Sequence, residues 1–266
     1  ITHSGIRSGR AANRYELEER FERAPKLNAD IQDSSEATRM IANTDFEVLG
    51  TNATSSHSAL DVGGGVKLTT AGSSDTDSTY IVGHLDSNQS SWGTTRWATA
   101  KTPIWSCLIK TGSSIANCVI KAGLTDSPTH QINGAISLRD DECYFWMGAS
   151  DVGNTSYMSD FSKVHFVYSI AGVDFVTNLN IPFAADTTYR LGIEFDEDRK
   201  LVVSVNGIRY GLANTAALTG ARDYGATGCL VNHPSAGTYS TSGSEETIEV
   251  DGTSATTVFT KGDALM

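Results

Sequence analysis

The sequence predicts an all-β fold, a two-sheet antiparallel sandwich or jelly roll, and three observations favour it. Short stretches alternate apolar and polar residues at period two, and turn signals separate roughly ten to fourteen such strands. Glycine is frequent, at 25 residues, and proline is scarce, at 5, which is typical of strands joined by turns. The 266 residues are 39% hydrophobic, so the chain can bury one large core.

An N-terminal arm is predicted over residues 1–40, ahead of a single β-domain over residues 41–266. Within the arm, Arg7, Arg10 and Arg14 lie among small and polar residues, with no acidic side chain between them. Arginines in such an arm can steer and orient it on a partner surface.

The segment YELEERFERAP predicts a short helix near residues 15–24, which Pro25 ends. Leu17 and Phe21 are four residues apart and share one face of this helix. An apolar stripe this narrow cannot support an independent domain. We therefore expect the arm either to dock, on its own sandwich or on a neighbouring subunit, or to remain mobile.

Two tight turns are predicted in the second half of the chain. Ala171-Gly172 separates two strands, and Asn206-Gly207 separates two later ones, since Asn and Gly both accept positive φ. Residues 189–195 alternate apolar and polar side chains, which indicates a half-buried strand. A charged turn over residues 196–199 follows it.

The four cysteines lie far apart, and no CxxC pair suggests a zinc site. A two-residue loop at Gly112-Ser113 would join IWSCLIK and IANCVIK in a hairpin and place Cys107 opposite Cys118. Their Cα atoms would then lie about 5.5 Å apart, within the disulfide range. Buried thiols are the favoured interpretation, because free cysteine is commonly buried, and a disulfide is the alternative.

Charge and composition exclude several partners. The net charge of −11 argues against nucleic acid, because phosphate binding needs clustered Lys and Arg. No apolar run reaches about 18 residues, so no membrane-spanning segment is predicted. The acidic turns at residues 75–77, 140–142 and 196–198 each offer too few oxygen atoms for calcium, which takes about six to eight. We expect neither a metal nor another cofactor.

No catalytic constellation is recognisable, and we expect that the protein is not an enzyme. Glu194, Asp196 and Asp198 alternate as the carboxylates of glycanases do, but they fall at the charged turn, where solvated acids are the rule. His165 and Tyr168 lie on opposite faces of their strand by parity, so they do not form an acid–base pair. His165 is interpreted as an outward-facing or hydrogen-bonded strand residue.

Three tryptophans lie close together in SSWGTTRWATAKTPIW. Trp105 is in an apolar strand and is predicted to belong to the core. Trp92 and Trp97 flank a loop, where indoles could stack on sugar rings. They are the candidate glycan-binding residues, although packing is the favoured role for both.

The stretch over residues 189–211 resembles the late strands of concanavalin A-like jelly rolls. It combines a Tyr-containing strand, an acidic turn, an apolar strand and a closing Asn-Gly. That family includes laminin-G domains, legume-type lectins and some glycanases and polysaccharide lyases. The resemblance implies a concanavalin A-like sandwich of two antiparallel sheets.

A second resemblance spans residues 43–210. The segments DFEVLGTNAT, HLDSNQSSW and YRLGIEFDEDRKLVVSVNG, in this order, are similar to virion structural proteins of tailed bacteriophages. This implies a capsid decoration, or cement, protein on the virion exterior, forming a homo-oligomer such as a trimer. The arm would bind the major capsid protein through Arg7, Arg10, Arg14, Leu17 and Phe21.

The alternative function is a lectin-like module that binds glycans on the host surface. A glycanase or polysaccharide lyase is the weaker option, because the carboxylate and His/Tyr patterns that such enzymes need are not recognisable in the sequence.

Overall fold

The computed structural model of the chain describes residues 7–8, 14–17, 26–27, 46–49, 58–60, 65–69, 78–83, 97–98, 102–115, 119–125, 141–148, 160–170, 173–197, 200–212, 223–224, 226–232, 247–250 and 259–262. These residues form β-strands and turns, and no helix occurs among them.

The described strands are numbered in chain order. They are β1 (Arg7–Ser8), β2 (Arg14–Leu17), β3 (Lys26–Leu27), β4 (Phe46–Leu49), β5 (Ser58–Leu60), β6 (Val66–Thr69), β7 (Ser78–Gly83), β8 (Trp97–Ala98), β9 (Ile104–Thr111), β10 (Val119–Thr125), β11 (Asp141–Gly148), β12 (Lys163–Ile170), β13 (Val173–Pro182), β14 (Thr188–Phe195), β15 (Leu201–Val205), β16 (Ile208–Tyr210), β17 (Asp223–Tyr224), β18 (Ala226–Asn232), β19 (Thr247–Val250) and β20 (Phe259–Gly262).

The strands form a ten-stranded and an eight-stranded sheet, and β8 pairs with β17 separately. The first sheet runs β1-β2-β20-β9-β14-β15-β16, with β19, β6 and β5 branching from β9. The second runs β13-β12-β11-β10-β18-β7-β4-β3. All described pairings are antiparallel except that of β3 with β4. The predicted two-sheet antiparallel jelly-roll sandwich is confirmed.

One apolar core fills the space between the two large sheets. The first sheet contributes Trp105 and Ile193, and the second contributes Phe145 and Phe166, all of them buried. Trp105 stacks on Phe145 across the layers with ring centroids 6.4 Å apart, and Phe145 meets Phe166 edge-on at 5.0 Å. Trp105 is therefore a core residue, as predicted.

The predicted alternation and hairpin near β14 are confirmed. Every second residue of β14 is buried from Tyr189 to Phe195, while Arg190 is exposed. After β15, Asn206 and Gly207 have φ angles of 52° and 80°. Two successive positive φ values match the two-residue turn that favours Asn-Gly, and β15 pairs with β16 across it.

Two further turns follow the sequence prediction. Ile170 of β12 pairs with Val173 of β13, as a two-residue turn between them requires. In the charged turn after β14, Asp196 N–H donates to the Lys200 carbonyl at 3.0 Å, and Lys200 N–H donates to Oδ1 of Asp196 at 2.8 Å. Local side-chain chemistry therefore closes this turn.

The hairpin predicted across Gly112-Ser113 is wrong. β9 pairs with β14 in the first sheet, whereas β10 pairs with β11 and β18 in the second. The end of β9 is held elsewhere, because Thr111 N–H donates to the Thr187 carbonyl and Asp186 N–H donates to the Gly112 carbonyl, both at 3.0 Å. Apolar side chains of β9 and β10 bury more surface by facing each other across the core than by lying side by side.

The geometry proposed for a disulfide between Cys107 and Cys118 is lost with that hairpin. Cys107 lies opposite Leu191 in β14 and is a buried thiol, as is Cys143 in β11. Cys118 lies outside the described residues. The favoured interpretation of buried thiols is confirmed for Cys107.

The arm residues that the structure describes are strands and not the predicted helix. Arg14–Leu17 forms β2 and pairs with β20, so a helix near residues 15–24 does not begin there. A helix with one narrow apolar stripe has little stability by itself, whereas a sheet edge offers backbone hydrogen bonds to an extended chain. Arg7 lies in β1, beside β2. Arg10 and Phe21 lie outside the described residues.

These pairings bear on where the arm docks. β1 and β2 join the first sheet, and β3 joins the second through β4. Of the two alternatives raised by the sequence, the described strands follow docking on the chain's own sandwich.

Candidate functional site

The outer face of the eight-stranded sheet carries a group of aromatic and polar side chains. This face points away from the core, because side chains along a strand alternate between faces. Lys121 of β10, Trp146 of β11 and His165 of β12 are directly opposite one another across three adjacent strands. Glu142 and Tyr144 share the face at period two along β11. These five residues are referred to as the outer cluster.

Strand β11 is buried on both of its faces. One face lies in the core, and on the other Tyr144 and Trp146, each 3% exposed, form a second apolar cluster with Val119 and Val167. Glu142 is also buried. Where one face of a sheet meets only water, the residues on that face are mostly polar. The outer face of β11 therefore differs from an ordinary solvent-facing surface.

Lys121 places a positive charge against both aromatic rings. Its Nζ lies 5.0 Å from the ring centroid of Tyr144 and 5.1 Å from that of Trp146. Such cation–π contacts contribute about 0.5–2 kcal/mol, depending on how far they are desolvated. Lys121 is half-buried, so part of its side chain reaches solvent. The ammonium group and the two rings thus form one packed unit.

His165 is buried, and its ring has a defined tautomer. Nδ1 lies 3.0 Å from the carbonyl oxygen of Lys163, and a carbonyl only accepts, so Nδ1 carries the hydrogen. Burial lowers the pKa of His165 below its ordinary value of 6.5, because the cationic ring would lose hydration. The neutral ring therefore presents a lone pair at Nε2.

Two buried nitrogen atoms of the outer cluster have no hydrogen-bond partner among the described residues, Nε2 of His165 and Nε1 of Trp146. An unsatisfied buried polar atom costs about 1–3 kcal/mol. Nε1 of Trp105 is also unsatisfied in the described part of the chain, but it lies in the core between the sheets. His165 and Trp146, by contrast, place a lone pair and an N–H group on the same outer face of the sheet.

A β-bulge lies beside His165. His165 is opposite Asn178 in β13, and the pairing register shifts between Val164 and His165. Asn180 has a φ of 62°, and its N–H donates to Oδ1 of Asn178 at 2.7 Å. Bulges commonly re-aim side chains next to functional sites. Asn178 is exposed, so the row of opposed residues that contains His165 ends at solvent.

The carboxylates considered for catalysis lie at the other large sheet. Glu194 is on the outer face of β14, where its Oε2 accepts a hydrogen bond from Nη2 of Arg209 at 2.9 Å. Asp196 accepts the N–H of Lys200 in the turn after β14. Asp198 lies outside the described residues. Both described carboxylates therefore have structural contacts in an exposed setting.

The parity prediction for His165 and Tyr168 is confirmed. Tyr168 lies in the core and stacks on Phe175 with ring centroids 4.9 Å apart, while His165 occupies the outer face. The sequence prediction did not include Trp146. The available signal was the run ECYFWM, in which residues of both parities are large and apolar, because such a strand has a second buried face.

The predicted glycan-binding and capsid-binding residues lie mostly outside the described part of the chain. Trp97 is in β8, and its backbone pairs with Tyr224 of β17. Trp92 is outside the described residues, as are the side chains of Trp97 and of the arm. The roles assigned to them stay predictions.

The described part of the chain contains neither a cluster of metal ligands nor a membrane-spanning helix. No three His, Cys, Asp or Glu side chains in these ranges come together as a metal ion would require. No helix long and apolar enough to cross a membrane occurs in the same ranges.

Comparisons with known proteins find similarity of structure and not of sequence. No protein-family model matches the chain, and no curated protein matches it. Among solved structures, a protein of unknown function from Shewanella oneidensis MR-1 is 12% identical, with a TM-score of 0.55 over 97% of this chain and 91% of that one.

Two further similar structures concern carbohydrates. A glycoside hydrolase family 16 endo-glucanase from Bacteroides ovatus is 12% identical, with a TM-score of 0.53 over 81% of this chain and 93% of that one. The carbohydrate recognition domain of Emp47p is 9% identical, with a TM-score of 0.52 over 97% of this chain and 100% of that one. Identities this low show a shared fold alone. The class they define is the concanavalin A-like jelly-roll sandwich.

Proposed function

We propose that this protein is a non-catalytic, lectin-like carbohydrate-binding module and that the outer cluster is its glycan site. The outer cluster is the observation that carries the proposal. It combines two aromatic rings, an ammonium group, a carboxylate and a neutral imidazole on one sheet face. Glycan sites use this mixture, because aromatic surfaces bind the apolar faces of sugars and polar groups bind the hydroxyls.

The fold is compatible with this function. The endo-glucanase and the carbohydrate recognition domain share it, with TM-scores of 0.53 and 0.52. Because a fold does not determine a function, the side chains of the site have to carry the assignment. The structural contacts of Glu194 and Asp196 favour binding over hydrolysis.

The outer cluster is nearly closed in the unbound chain. Tyr144 and Trp146 are 3% exposed, so a glycan reaches their rings only when the cluster opens locally. Binding that requires a conformational change is slow, and we expect an association rate constant below about 10⁵ M⁻¹ s⁻¹.

Polysaccharide binding tests the proposal directly. The protein is run in native gels that contain mixed-linkage β-glucan, laminarin, xylan or alginate, and at least one of them should retard it. Lys121→Met keeps the side chain's stem but removes the cation from both rings, so it should weaken retardation about 3–10-fold. Arg209→Met is the matched control, since it removes an exposed cation from the other large sheet. The proposal would be refuted if Lys121→Met and Arg209→Met were retarded equally. It would also be refuted if no polysaccharide retarded the wild-type protein.

Capsid decoration, which the phage resemblance implies, stays a prediction. None of the similar structures named above is described as a virion protein. Deleting residues 1–30 does not separate docking from folding, because β1, β2 and β3 in this segment pair with other strands of the two sheets. Co-sedimentation with capsids after replacing the arm arginines by glutamine tests the docking role instead. These arginines are Arg7, Arg10 and Arg14.

A further inference from the structure

We infer that the outer cluster binds a neutral sugar hydroxyl between Trp146 and His165. Nε1–H of Trp146 donates to the hydroxyl oxygen, and the hydroxyl hydrogen is donated to Nε2 of His165. This inference rests on the proposed glycan-binding function and names the chemical group that the site selects. The protein therefore prefers uncharged glycans to those recognised through a carboxylate, a sulfate or an ammonium group.

The two nitrogen atoms belong to neighbouring side chains. Trp146 and His165 are directly opposed in β11 and β12, and their side chains are 3% and 1% exposed. Opposed residues of antiparallel strands have Cα atoms about 4.5–5.5 Å apart. Among the described residues, neither Nε1 of Trp146 nor Nε2 of His165 has a hydrogen-bond partner. A buried donor and a buried acceptor thus belong to directly opposed residues, and both are unsatisfied.

Gly148 lies directly against Nε1 of Trp146. A Cβ atom at Gly148 would lie 2.9 Å from this nitrogen and 3.2 Å from Cγ2 of Val119. The indole therefore packs on Gly148, and a side chain at position 148 would displace the indole and its N–H group.

The tautomer of His165 decides which chemical group fits. Nδ1–H is committed to the Lys163 carbonyl at 3.0 Å, so Nε2 can only accept. A carboxylate or sulfate has no hydrogen to donate, and its negative charge would face the Nε2 lone pair. An ammonium group has no lone pair to accept Nε1–H. A hydroxyl group donates and accepts at once, and it satisfies both nitrogen atoms.

A permanently bound water is the rival explanation, because water also donates and accepts. The two explanations differ in what the loss of the donor does. With a resident water, loss of Nε1–H changes the stability of the protein and leaves glycan affinity unchanged. With a sugar hydroxyl, the same loss lowers glycan affinity.

Trp146→Phe and Trp105→Phe form a matched pair for this test. Each removes one buried, unsatisfied indole N–H and keeps an aromatic ring, the first on the outer face and the second in the core. Tetrasaccharides of mixed-linkage β-glucan, laminarin and xylan are titrated calorimetrically against the full chain. Trp146→Phe should weaken binding about 2–10-fold, the range of one neutral hydrogen bond. Trp105→Phe should leave the dissociation constant within about twofold.

Gly148→Ala is a second variant, which retains the indole N–H group of Trp146 but displaces it from its place on Gly148. It should lose at least as much affinity as Trp146→Phe, and near-ultraviolet circular dichroism checks that each variant keeps its packed aromatic core. A loss of glycan affinity in Trp146→Phe and Gly148→Ala, but not in Trp105→Phe, supports the inference.

Other outcomes overturn it in distinguishable ways. Equal glycan affinity in Trp146→Phe and wild type, with a shifted melting temperature, points to a resident water and leaves the proposed function standing. Tighter binding of an alginate tetrasaccharide than of every neutral one also overturns the hydroxyl assignment alone. Failure of the wild-type protein to bind any of these glycans overturns the inference and the proposed function together.

Discussion

Replacing Gly123 by alanine should destabilise the sheet that carries the outer cluster far more than the same change at Gly192. Gly123 lies in β10, opposite Tyr144 of β11. A Cβ atom there would overlap the carbonyl oxygen of Cys143 and lie 2.6 Å from Cα of Tyr144. Both atoms belong to the backbone of an inner strand, so neither can rotate away. At Gly192, the Cβ atom would instead meet Oγ of Ser204 at 2.5 Å, which a change of rotamer relieves.

The magnitude follows from which atoms have to move. An added methyl group in a closely packed position costs about 1–3 kcal/mol, and the upper end applies where backbone has to shift. A loss of about 3 kcal/mol lowers the melting temperature of a domain of this size by about 6–12 °C. For Gly192→Ala we expect less than about 1 kcal/mol, because only a hydroxyl group has to turn.

Urea denaturation of wild type, Gly123→Ala and Gly192→Ala measures the two losses. The free energy of unfolding is compared at a constant m value, so that a change in the compactness of the unfolded chain is not mistaken for a change in stability. Gly123→Ala should unfold at a clearly lower urea concentration than Gly192→Ala. If the two midpoints coincide, the close contact between β10 and β11 does not constrain residue 123, and the reasoning is refuted.

Three further predictions concern stability and pH. Tyr189→Phe should lower the free energy of unfolding by about 1–2 kcal/mol, because its hydroxyl donates to the Pro182 carbonyl at 2.8 Å and accepts the Ala184 N–H at 2.9 Å; thermal melts that coincide with wild type would contradict this. Thr111→Val should lower the free energy of unfolding by about 1–3 kcal/mol, since the buried Oγ1 donates to the Ala184 carbonyl at 2.7 Å. In the double variant with Tyr189→Phe, the total loss should be smaller than the sum of the two single losses, because both side chains bind the backbone of Ala184. Folding lowers the pKa of His165, so the unfolded chain takes up the proton at a higher pH than the folded chain does. The free energy of unfolding should therefore fall as the pH drops below 6.5, by at most about 1.4 kcal/mol per pH unit. Thermal melts of wild type and His165→Gln between pH 5 and 8 check this, because the two proteins share the other five histidines and their effects cancel in the comparison. Parallel curves of melting temperature against pH would show that His165 does not contribute to the pH dependence.

Much of the strand pattern could be predicted from the sequence because local signals encode it. Period-two alternation over residues 189–195 identified β14, and Asn206-Gly207 identified the next hairpin because two successive residues there need positive φ. The charged turn after β14 closes through the side chain of Asp196. Each of these features depends on a few neighbouring residues, so no knowledge of distant partners was needed.

The site could not be predicted in the same way. Trp146 and His165 are on different strands, and they are neighbours only because β11 and β12 pair in one register. Lys121 joins them through a second pairing, between β10 and β11. A shift of one residue in either register would turn these side chains to the core face. The sequence therefore indicated an aromatic strand over residues 141–148 but not which polar groups its outer face would meet.

The sequence by itself determined that this chain forms short antiparallel strands with a large apolar core, since alternation and turn residues act locally. The tertiary structure alone decided which strands are neighbours. It placed β9 and β10 in different sheets where a hairpin was predicted, and it gave Arg14–Leu17 a strand partner in β20 where a helix was predicted. In both cases long-range burial and backbone pairing outweigh local preference, because an extended segment gains its hydrogen bonds from partners that are distant in the chain.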